Sequence, residues 1–147
     1  MTEVKYKNVF VDGAITPEKI ANSIAHHQAK TQIGAHDIFL GQVRADDIDG
    51  KTVQAIDYSA YDDMALKTFH EIREAAFDKF NLTCMHIYHS KGIVKIGEIC
   101  LFVFTSSAHR KEAMEACRWL VEQIKEKAPI YGKELFEDDS HQWKTNK

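Results

Sequence analysis

Residues 99–111 decide the fold, and they run Ile99-Cys-Leu-Phe-Val-Phe104, then Thr105, then Ser106-Ser-Ala-His-Arg-Lys111. The apolar run has the length and composition of a buried strand. The residues after it predict a helix over residues 108–127, with Ser107 as its N-cap. Three side chains that can carry positive charge fall in the first turn of this helix, where unpaired N–H groups already form a positive dipole end. A bound anion such as a phosphate is the simplest compensation for that charge.

The predicted helix carries one apolar stripe, and Pro129 ends it. The members of the stripe recur at helical spacing: Ala113, Cys117, Leu120, Val121, Ile124 and Ala128. At about 100° per residue, Arg110 projects onto the centre of this stripe. Because an unpaired guanidinium is costly to bury, Arg110 needs a carboxylate, a cluster of carbonyls, a partner subunit or an anionic ligand. A salt bridge to one of the 22 acidic residues is as good an explanation as a ligand.

His109 and Lys125 lie on the two edges of the same stripe. A histidine can shuttle protons near neutral pH, but at a helix start it is more often a surface residue. A lysine near a helix end is favoured by the dipole alone. Fifteen residues separate Arg110 from Lys125, which is about 22 Å along an α-helix. A small ligand cannot contact both on a single chain, so a site that uses both must be built from two copies of the protein.

Two further cations are candidates for ligand contacts. Arg44 ends the predicted strand over residues 34–44, where an arginine either reaches a rim pocket or remains solvated. Lys133 follows Gly132 on a stiff turn, and this glycine indicates a positive φ or a close backbone approach. No metal is expected, because the histidines form no ligand set with carboxylates or cysteines. The cysteines, Cys84, Cys100 and Cys117, have apolar neighbours and are predicted to be buried free thiols.

Predicted strands and helices are interleaved, but some links are too short for parallel crossovers. We therefore expect an α+β fold, with a mixed or antiparallel sheet packed against three main helices, in one domain over residues 1–147. A net charge of −3 disfavours a nucleic-acid-binding protein. No apolar run approaches the length of a membrane span, and no secretory signal is recognised, so a cytoplasmic location is expected.

Several segments, taken in chain order, form a specific set although each alone is weak. They are Gly34-Ala-His-Asp-Ile-Phe-Leu-Gly-Gln-Val-Arg44, Tyr58-Ser-Ala-Tyr61 with Met64-Ala65, Gly97-Glu98, Ser106-Ser-Ala-His-Arg110, Lys125 and Pro129-Ile-Tyr-Gly-Lys-Glu134. This ordered set resembles the large, catalytic subunit of molybdopterin synthase, the MoaE family. The resemblance runs from about Gly34 to Trp143.

The resemblance implies an α/β-hammerhead-like fold and a sulfurtransferase activity. The family converts cyclic pyranopterin monophosphate to molybdopterin by installing two sulfurs as a dithiolene, in molybdenum cofactor biosynthesis. The sulfur arrives as a C-terminal thiocarboxylate on a small ubiquitin-like partner, whose Gly-Gly tail enters the large subunit. The assembly is a heterotetramer around a homodimer of the large subunit, and no cofactor is implied.

The resemblance also assigns roles to residues. Lys125 matches the main catalytic lysine, and His109 is expected to assist its proton transfers. Arg44, His109 and Arg110 match substrate-binding residues, which Lys125 and Lys133 would join. Because the family's pocket combines residues of two large subunits, these roles agree with the helical separation of Arg110 and Lys125.

The chain departs from the family pattern at a few positions. Gly132 replaces the first of two lysines that usually precede the glutamate, and Ser59 stands where glutamate is usual. Ser90 stands where arginine is usual after the preceding histidine. Basic residues of a longer family tail are absent or replaced by Lys144 and Lys147.

The residues alone also allow a function of another class. A non-enzymatic module that binds a phosphometabolite, or an adaptor for a carrier protein, would explain the basic helix start but would leave Lys125 without a role. An RNA-binding α+β domain is disfavoured by the acidic balance and by the lack of a basic, aromatic strand face.

Overall fold

The computed structural model describes residues 5–145, in which eight strands and three helices are interleaved. The strands are β1 (Phe10–Asp12), β2 (Ala35–Gln42), β3 (Asp47–Ile48), β4 (Lys51–Ala60), β5 (Cys84–Lys95), β6 (Ile99–Ser107), β7 (Ile130–Phe136) and β8 (His141–Trp143). The helices are α1 (Pro17–His27), α2 (Asp62–Lys79) and α3 (Arg110–Lys127). No bilayer-crossing helix is found among the described residues.

The strands form one sheet, whose main path runs β2-β6-β5-β4-β7-β8. Neighbours along this path are antiparallel. Two short strands lie off the path: β1 pairs in parallel with β5, and β3 forms a hairpin with β4. The predicted α+β class, with a mixed and mostly antiparallel sheet and three main helices, is therefore confirmed.

Strand β6 is the centre of the core and is covered on both faces. Leu101 and Val103 join the cluster that α2 and α3 form on one face of the sheet. Phe102 and Phe104 belong to a second cluster, in which they pack with Ile15 and with apolar side chains of α1. A strand buried on both faces requires a continuous apolar run rather than an alternating one, which is what residues 99–104 supply.

Strand β5 joins the two halves of the sheet. Its first part, Cys84–His89, pairs with β6, whereas Gly92–Lys95 pairs with β4. Gly92 has a φ of 82°, which glycine adopts without a Cβ clash, so the strand changes partner there without ending. The second half encloses its own apolar cluster around Val53, Ile56 and Val94. It flanks the last turn of α3 through β4, β7 and β8.

The start of α3 differs from the prediction. Ser107 is the last residue of β6 and is buried, and its Oγ donates a hydrogen bond to the backbone oxygen of Asn81 at 2.9 Å. The helix begins at Arg110, with His109 at the N-cap position and no side-chain cap. The prediction of a Ser107 cap was wrong because the strand continues far enough to pair Ser107 with Ala35 of β2.

Arg110 is exposed, so the prediction that its guanidinium projects into the apolar stripe was also wrong. The buried side of α3 begins one turn later. Its buried residues are Ala113, Ala116, Cys117, Leu120 and Ile124. Because the helix starts beyond the last paired residue of β6, its first turn extends past the core and presents both His109 and Arg110 to solvent.

A close backbone approach at Gly34 holds the segment before α3 against the start of β2. The Gly34 N–H donates to the backbone oxygen of Ser107 at 3.0 Å. A Cβ placed on Gly34 would lie 2.2 Å from the backbone oxygen of Ala108, which is far inside van der Waals contact. Gly34 is therefore required for space, and it fixes the segment that carries His109 and Arg110.

We expect Gly34→Ala to lower the free energy of unfolding by about 3 kcal/mol, because a backbone carbonyl cannot move aside as a flexible side chain can. Gly92→Ala is the matched control. A Cβ at Gly92 meets nothing within 4 Å, so only its positive φ is penalised, at about 1 kcal/mol. Urea unfolding followed by circular dichroism measures both variants. Equal losses in the two would show that the approach at Gly34 is not a steric constraint.

Candidate active site

Lys125 lies in the last turn of α3, where the helix meets the second half of the sheet. Its neighbour Ile124 is buried and anchors the helix in the core, while Lys125 itself is half-buried. Two clefts, of about 560 and 470 Å³, are both bordered by Lys125 and Lys144. We name the larger one cleft A and the smaller one cleft B. The two lysines mark the junction between them.

Cleft A lies between the end of α3 and strands β4, β5 and β7. Tyr58 and His89 line its buried part, and their rings pack edge to face with centroids 5.1 Å apart. Tyr131 and Trp143 line its exposed rim. The cleft is therefore aromatic on its walls and cationic at the end where Lys125 and Lys144 stand.

His89 is neutral at pH 7. Its Nδ1 lies 2.8 Å from the backbone oxygen of Ser90, so Nδ1 carries a proton and donates it. Burial lowers the pKa of His89 to about 4; the hydrogen bond to Ser90 opposes this, and the charges of Lys125 and Lys144 reinforce it. At pH 7 the imidazole thus keeps a lone pair on Nε2 and adds no positive charge to cleft A.

Tyr58 is also neutral. Burial raises the pKa of its hydroxyl above the ordinary range, and the neighbouring Cys100 and the charge of Glu134 raise it further. The hydroxyl donates a hydrogen bond to Cys100 Sγ at 3.4 Å. Cys100 is a buried free thiol, and so are Cys84 and Cys117, as predicted. The positive charge of cleft A therefore comes from lysine ammonium groups.

Cleft B lies on the other side of Lys125 and contains Arg44. The guanidinium of Arg44 contacts Asp46 twice, through Nε to Oδ1 and Nη2 to Oδ2, both at 3.3 Å. The Arg44 side chain is 76% exposed, and ion pairs at exposed positions contribute about 1 kcal/mol or less. Arg44 can therefore exchange this carboxylate for an anionic ligand at small cost.

The protonation of Lys125 is shifted by its surroundings. Burial, and then the positive charge of Lys144, hold the pKa of Lys125 below its ordinary value, while Cys100 acts in the opposite direction. A lowered pKa gives the amine a larger neutral fraction near pH 7 than a solvated lysine has. Lys125 is therefore suited to accept a proton as well as to donate one.

The structure separates the predicted site residues into three groups. Arg44 and Lys125 line cleft B together. His109 and Arg110 are exposed at the opposite end of α3, about 22 Å from Lys125 along the helix. Lys133 lines neither cleft and packs on Trp143, with its Nζ 5.4 Å from the centre of the indole ring. A single chain thus assembles Arg44 and Lys125 but not the other three.

Sequence reasoning missed part of the site. The missed residues are Tyr58, His89, Glu134 and Lys144. The sequence carried a signal for the burial of His89, because this residue follows the apolar Ile87 by two positions in a strand and so lies on the same face. Lys144 had none, because its place depends on the pairing of β7 with β8. Lys147 lies outside the described residues.

Comparison with known proteins gives matches over most of the chain. The family model described as MoaE protein matches residues 12–127. The molybdopterin synthase catalytic subunit of Pyrococcus abyssi is 36% identical over 101 residues, which cover 69% of this chain and 68% of that protein. Relatives of the same name from Drosophila are longer: the match to Drosophila sechellia is 39% identical over 84% of this chain but only 35% of that protein.

Solved structures match the same fold. Molybdopterin synthase from Staphylococcus aureus superposes with a TM-score of 0.79 at 30% identity, over 92% of this chain and 95% of that chain. A chain from the complex of subunits 1 and 2 of molybdopterin-converting factor from Helicobacter pylori has a TM-score of 0.79 at 22% identity, over 94% and 90% of the two chains. At 22% identity, the likeness to the Helicobacter pylori chain shows a shared fold and nothing more. Together with the family model, these matches establish that the chain belongs to the MoaE protein family, as its motifs predicted.

Proposed function

We propose that this protein is the catalytic subunit of a molybdopterin synthase. It transfers sulfur from the C-terminal thiocarboxylate of a small ubiquitin-like partner to cyclic pyranopterin monophosphate, which becomes molybdopterin with its dithiolene. The observation that carries the proposal is the position of Lys125, a half-buried amine with a lowered pKa at the junction of two clefts. An amine so placed can transfer protons between reactants bound on its two sides.

Both reactants are anions, and the two clefts suit them differently. Cleft B takes the phosphate of the pterin, because the guanidinium of Arg44 can hold two phosphate oxygens at once. Cleft A takes the glycine-ended tail of the partner, which needs a narrow passage rather than large side-chain pockets. The tail then delivers its sulfur at the lysine junction.

The chemistry needs proton transfers but no thiol of the protein. Two thiocarboxylated partners act in turn, and each thiocarboxylate sulfur is itself the nucleophile that forms one new C–S bond to the pterin side chain. One transfer breaks the C–O bond to the cyclic phosphate, and the other expels the second side-chain oxygen as water. Water then breaks the acyl C–S bond and leaves the partner with a carboxylate. Lys125 accepts the proton of the attacking water and donates one to the leaving oxygen of the opened phosphate ring. The buried positions of Cys84, Cys100 and Cys117 agree with this division of roles.

An exposed aromatic surface at the mouth of cleft A is evidence that a protein partner binds there. Tyr61, Tyr131 and Trp143 are all exposed there, and the rings of Tyr61 and Tyr131 contact each other with centroids 5.7 Å apart. Exposed aromatic clusters of this kind are typical of protein contacts. The Helicobacter pylori protein of the same fold was solved as a complex of two different subunits, which supports a small-subunit partner for this chain.

The full site requires a second copy of the chain. His109 and Arg110 cannot reach Lys125 of their own protomer, because the continuous helix α3 separates them. Strand β2 is an edge of the sheet, and it exposes Phe39 and Leu40 by 37% and 41%. An apolar edge strand is a natural surface for pairing with another chain. We infer a homodimer in which His109 and Arg110 of one protomer complete the clefts of its partner.

Lys125→Ala should lower the rate of dithiolene formation by about 10²–10⁴-fold, because the substitution removes the proton-transfer group. The measurement is mass spectrometry of the pterin product after incubation with thiocarboxylated partner. Lys67→Ala, on the exposed side of α2, removes the same charge and should leave the rate unchanged. Turnover close to wild type in the Lys125 variant would remove this residue from the mechanism. A wild-type chain that binds the pterin but forms no product would favour the non-enzymatic module.

Mixing two inactive variants tests the two-copy site. Lys125→Ala and Arg110→Ala should each be nearly inactive alone. When they are co-expressed, half of the dimers contain one subunit of each kind, and one of the two sites in such a dimer is intact. The mixture should therefore recover about a quarter of the wild-type activity per site. No recovery, with mixed dimers demonstrated by native mass spectrometry, would show that Arg110 does not serve the site of the opposite protomer.

A further inference from the structure

The hairpin of β7 and β8 places Lys144 directly opposite Gly132. Lys133 and Trp143 are paired in register, and one residue further on the N–H of Lys144 donates to the backbone oxygen of Gly132 at 2.8 Å. A Cβ placed on Gly132 would lie 3.7 Å from the Cβ of Lys144. The two positions therefore share one face of the hairpin, and only one of them carries a side chain.

Position 132 has little room for a side chain of its own. The same Cβ would lie 3.0 Å from Cγ2 of Ile56 and 3.3 Å from Cε1 of Tyr58, and both contacts are tight. Gly132 thus lets the hairpin pack closely against β4. The long side chain on this face comes from Lys144, which borders cleft A and cleft B as Lys125 does.

We propose that Lys144 is a substrate-binding residue, which forms with Lys125 a two-lysine clamp for an anionic group at the junction of the clefts. This inference rests on the proposed function for the identity of the anion, which is either the phosphate of the pterin or the thiocarboxylate of the partner. Two like charges at one junction repel each other, and an anion between them removes that cost. Lys144 is exposed, so its ammonium can adjust to the ligand.

The electrostatic effect of Lys144 on its surroundings supports this placement. Its charge acts on two buried or half-buried groups from different elements, since it lowers the pKa of Lys125 in α3 and that of His89 in β5. Lys133, one residue from the pair partner of Lys144, lines neither cleft and packs on Trp143 instead. Lys144 is thus the hairpin lysine that is coupled to the site.

The remaining titratable groups around Lys125 come from several elements. Among the described residues they are Arg44, Asp46 and Asp47 near β2 and β3, Tyr58 of β4, His89 of β5, Cys100 of β6, Glu126 and Lys127 of α3, and Tyr131 and Glu134 of β7. The identity of each of these residues is the same in wild type and in a variant at position 144. A comparison of variants at this one position therefore isolates the contribution of the Lys144 charge to the protonation of Lys125.

The first test does not depend on turnover. The pKa of Lys125 is measured in the homodimer by ¹⁵N NMR of the lysine Nζ groups, in wild type, Lys144→Ala and Lys144→Arg. We expect the pKa of Lys125 to rise in Lys144→Ala, because a like charge is removed, and to stay near the wild-type value in Lys144→Arg. Lys67→Ala, which removes a lysine from α2, should not move it. An unchanged pKa in Lys144→Ala would overturn the coupling whatever reaction the protein catalyses.

The second test measures binding during the reaction. In Lys144→Ala the KM for one anionic reactant should rise about tenfold, because the substitution removes a charged hydrogen bond to that reactant. A rise for the pterin identifies the phosphate as the ligand, and a rise for the partner identifies the thiocarboxylate. An unchanged KM for both reactants would overturn the clamp, whereas a wild-type protein that forms no product would refute the proposed function instead.

Discussion

The burial of β6 on both faces is the constraint on which the rest of the molecule depends. Leu101 and Val103 must be covered on one side and Phe102 and Phe104 on the other. One layer of helices cannot do both, so α2 and α3 cover the first face and α1 covers the second. The direction of α3 is then fixed, because its buried residues have to follow β6 back along the sheet. This path carries the helix from the exposed His109 to the half-buried Lys125.

The second half of the sheet converts that path into a site. Because β5 changes partner at Gly92, strands β4, β7 and β8 stand beside the last turn of α3 and surround Lys125 with protein. The lysine loses part of its solvent, and desolvation is the largest cause of its lowered pKa. The neutral forms of Tyr58 and His89 follow from the same burial. The charge at the junction is thus concentrated on amines that can still give up a proton.

Local sequence patterns predicted the helices and strands well, but they predicted the residues at which these begin and end less well. The apolar run of β6 and the stripe of α3 were recognisable because burial on two faces and helical spacing leave distinct signatures. The start of α3 was not, since the pairing of Ser107 with Ala35 is a contact between distant residues that extends the strand at the expense of the helix. The predicted burial of Arg110 was wrong for the same reason. Lys144 and Glu134 came into the site through hairpin register, which residue spacing alone does not determine.

The length of α3 has a consequence for how such a site can evolve. A straight helix keeps its two ends apart, so the cations of its first turn and the amine of its last turn cannot meet within one protomer. If the active site nevertheless uses both, the enzyme is functional only as an oligomer, and dimerisation becomes part of catalysis rather than an addition to it. The hairpin of β7 and β8 supplies positive charge to the junction from the same protomer, because Lys144 places a second ammonium group beside Lys125. Substitutions on this hairpin can therefore change the charge at the junction without altering helix α3 or the core strand β6.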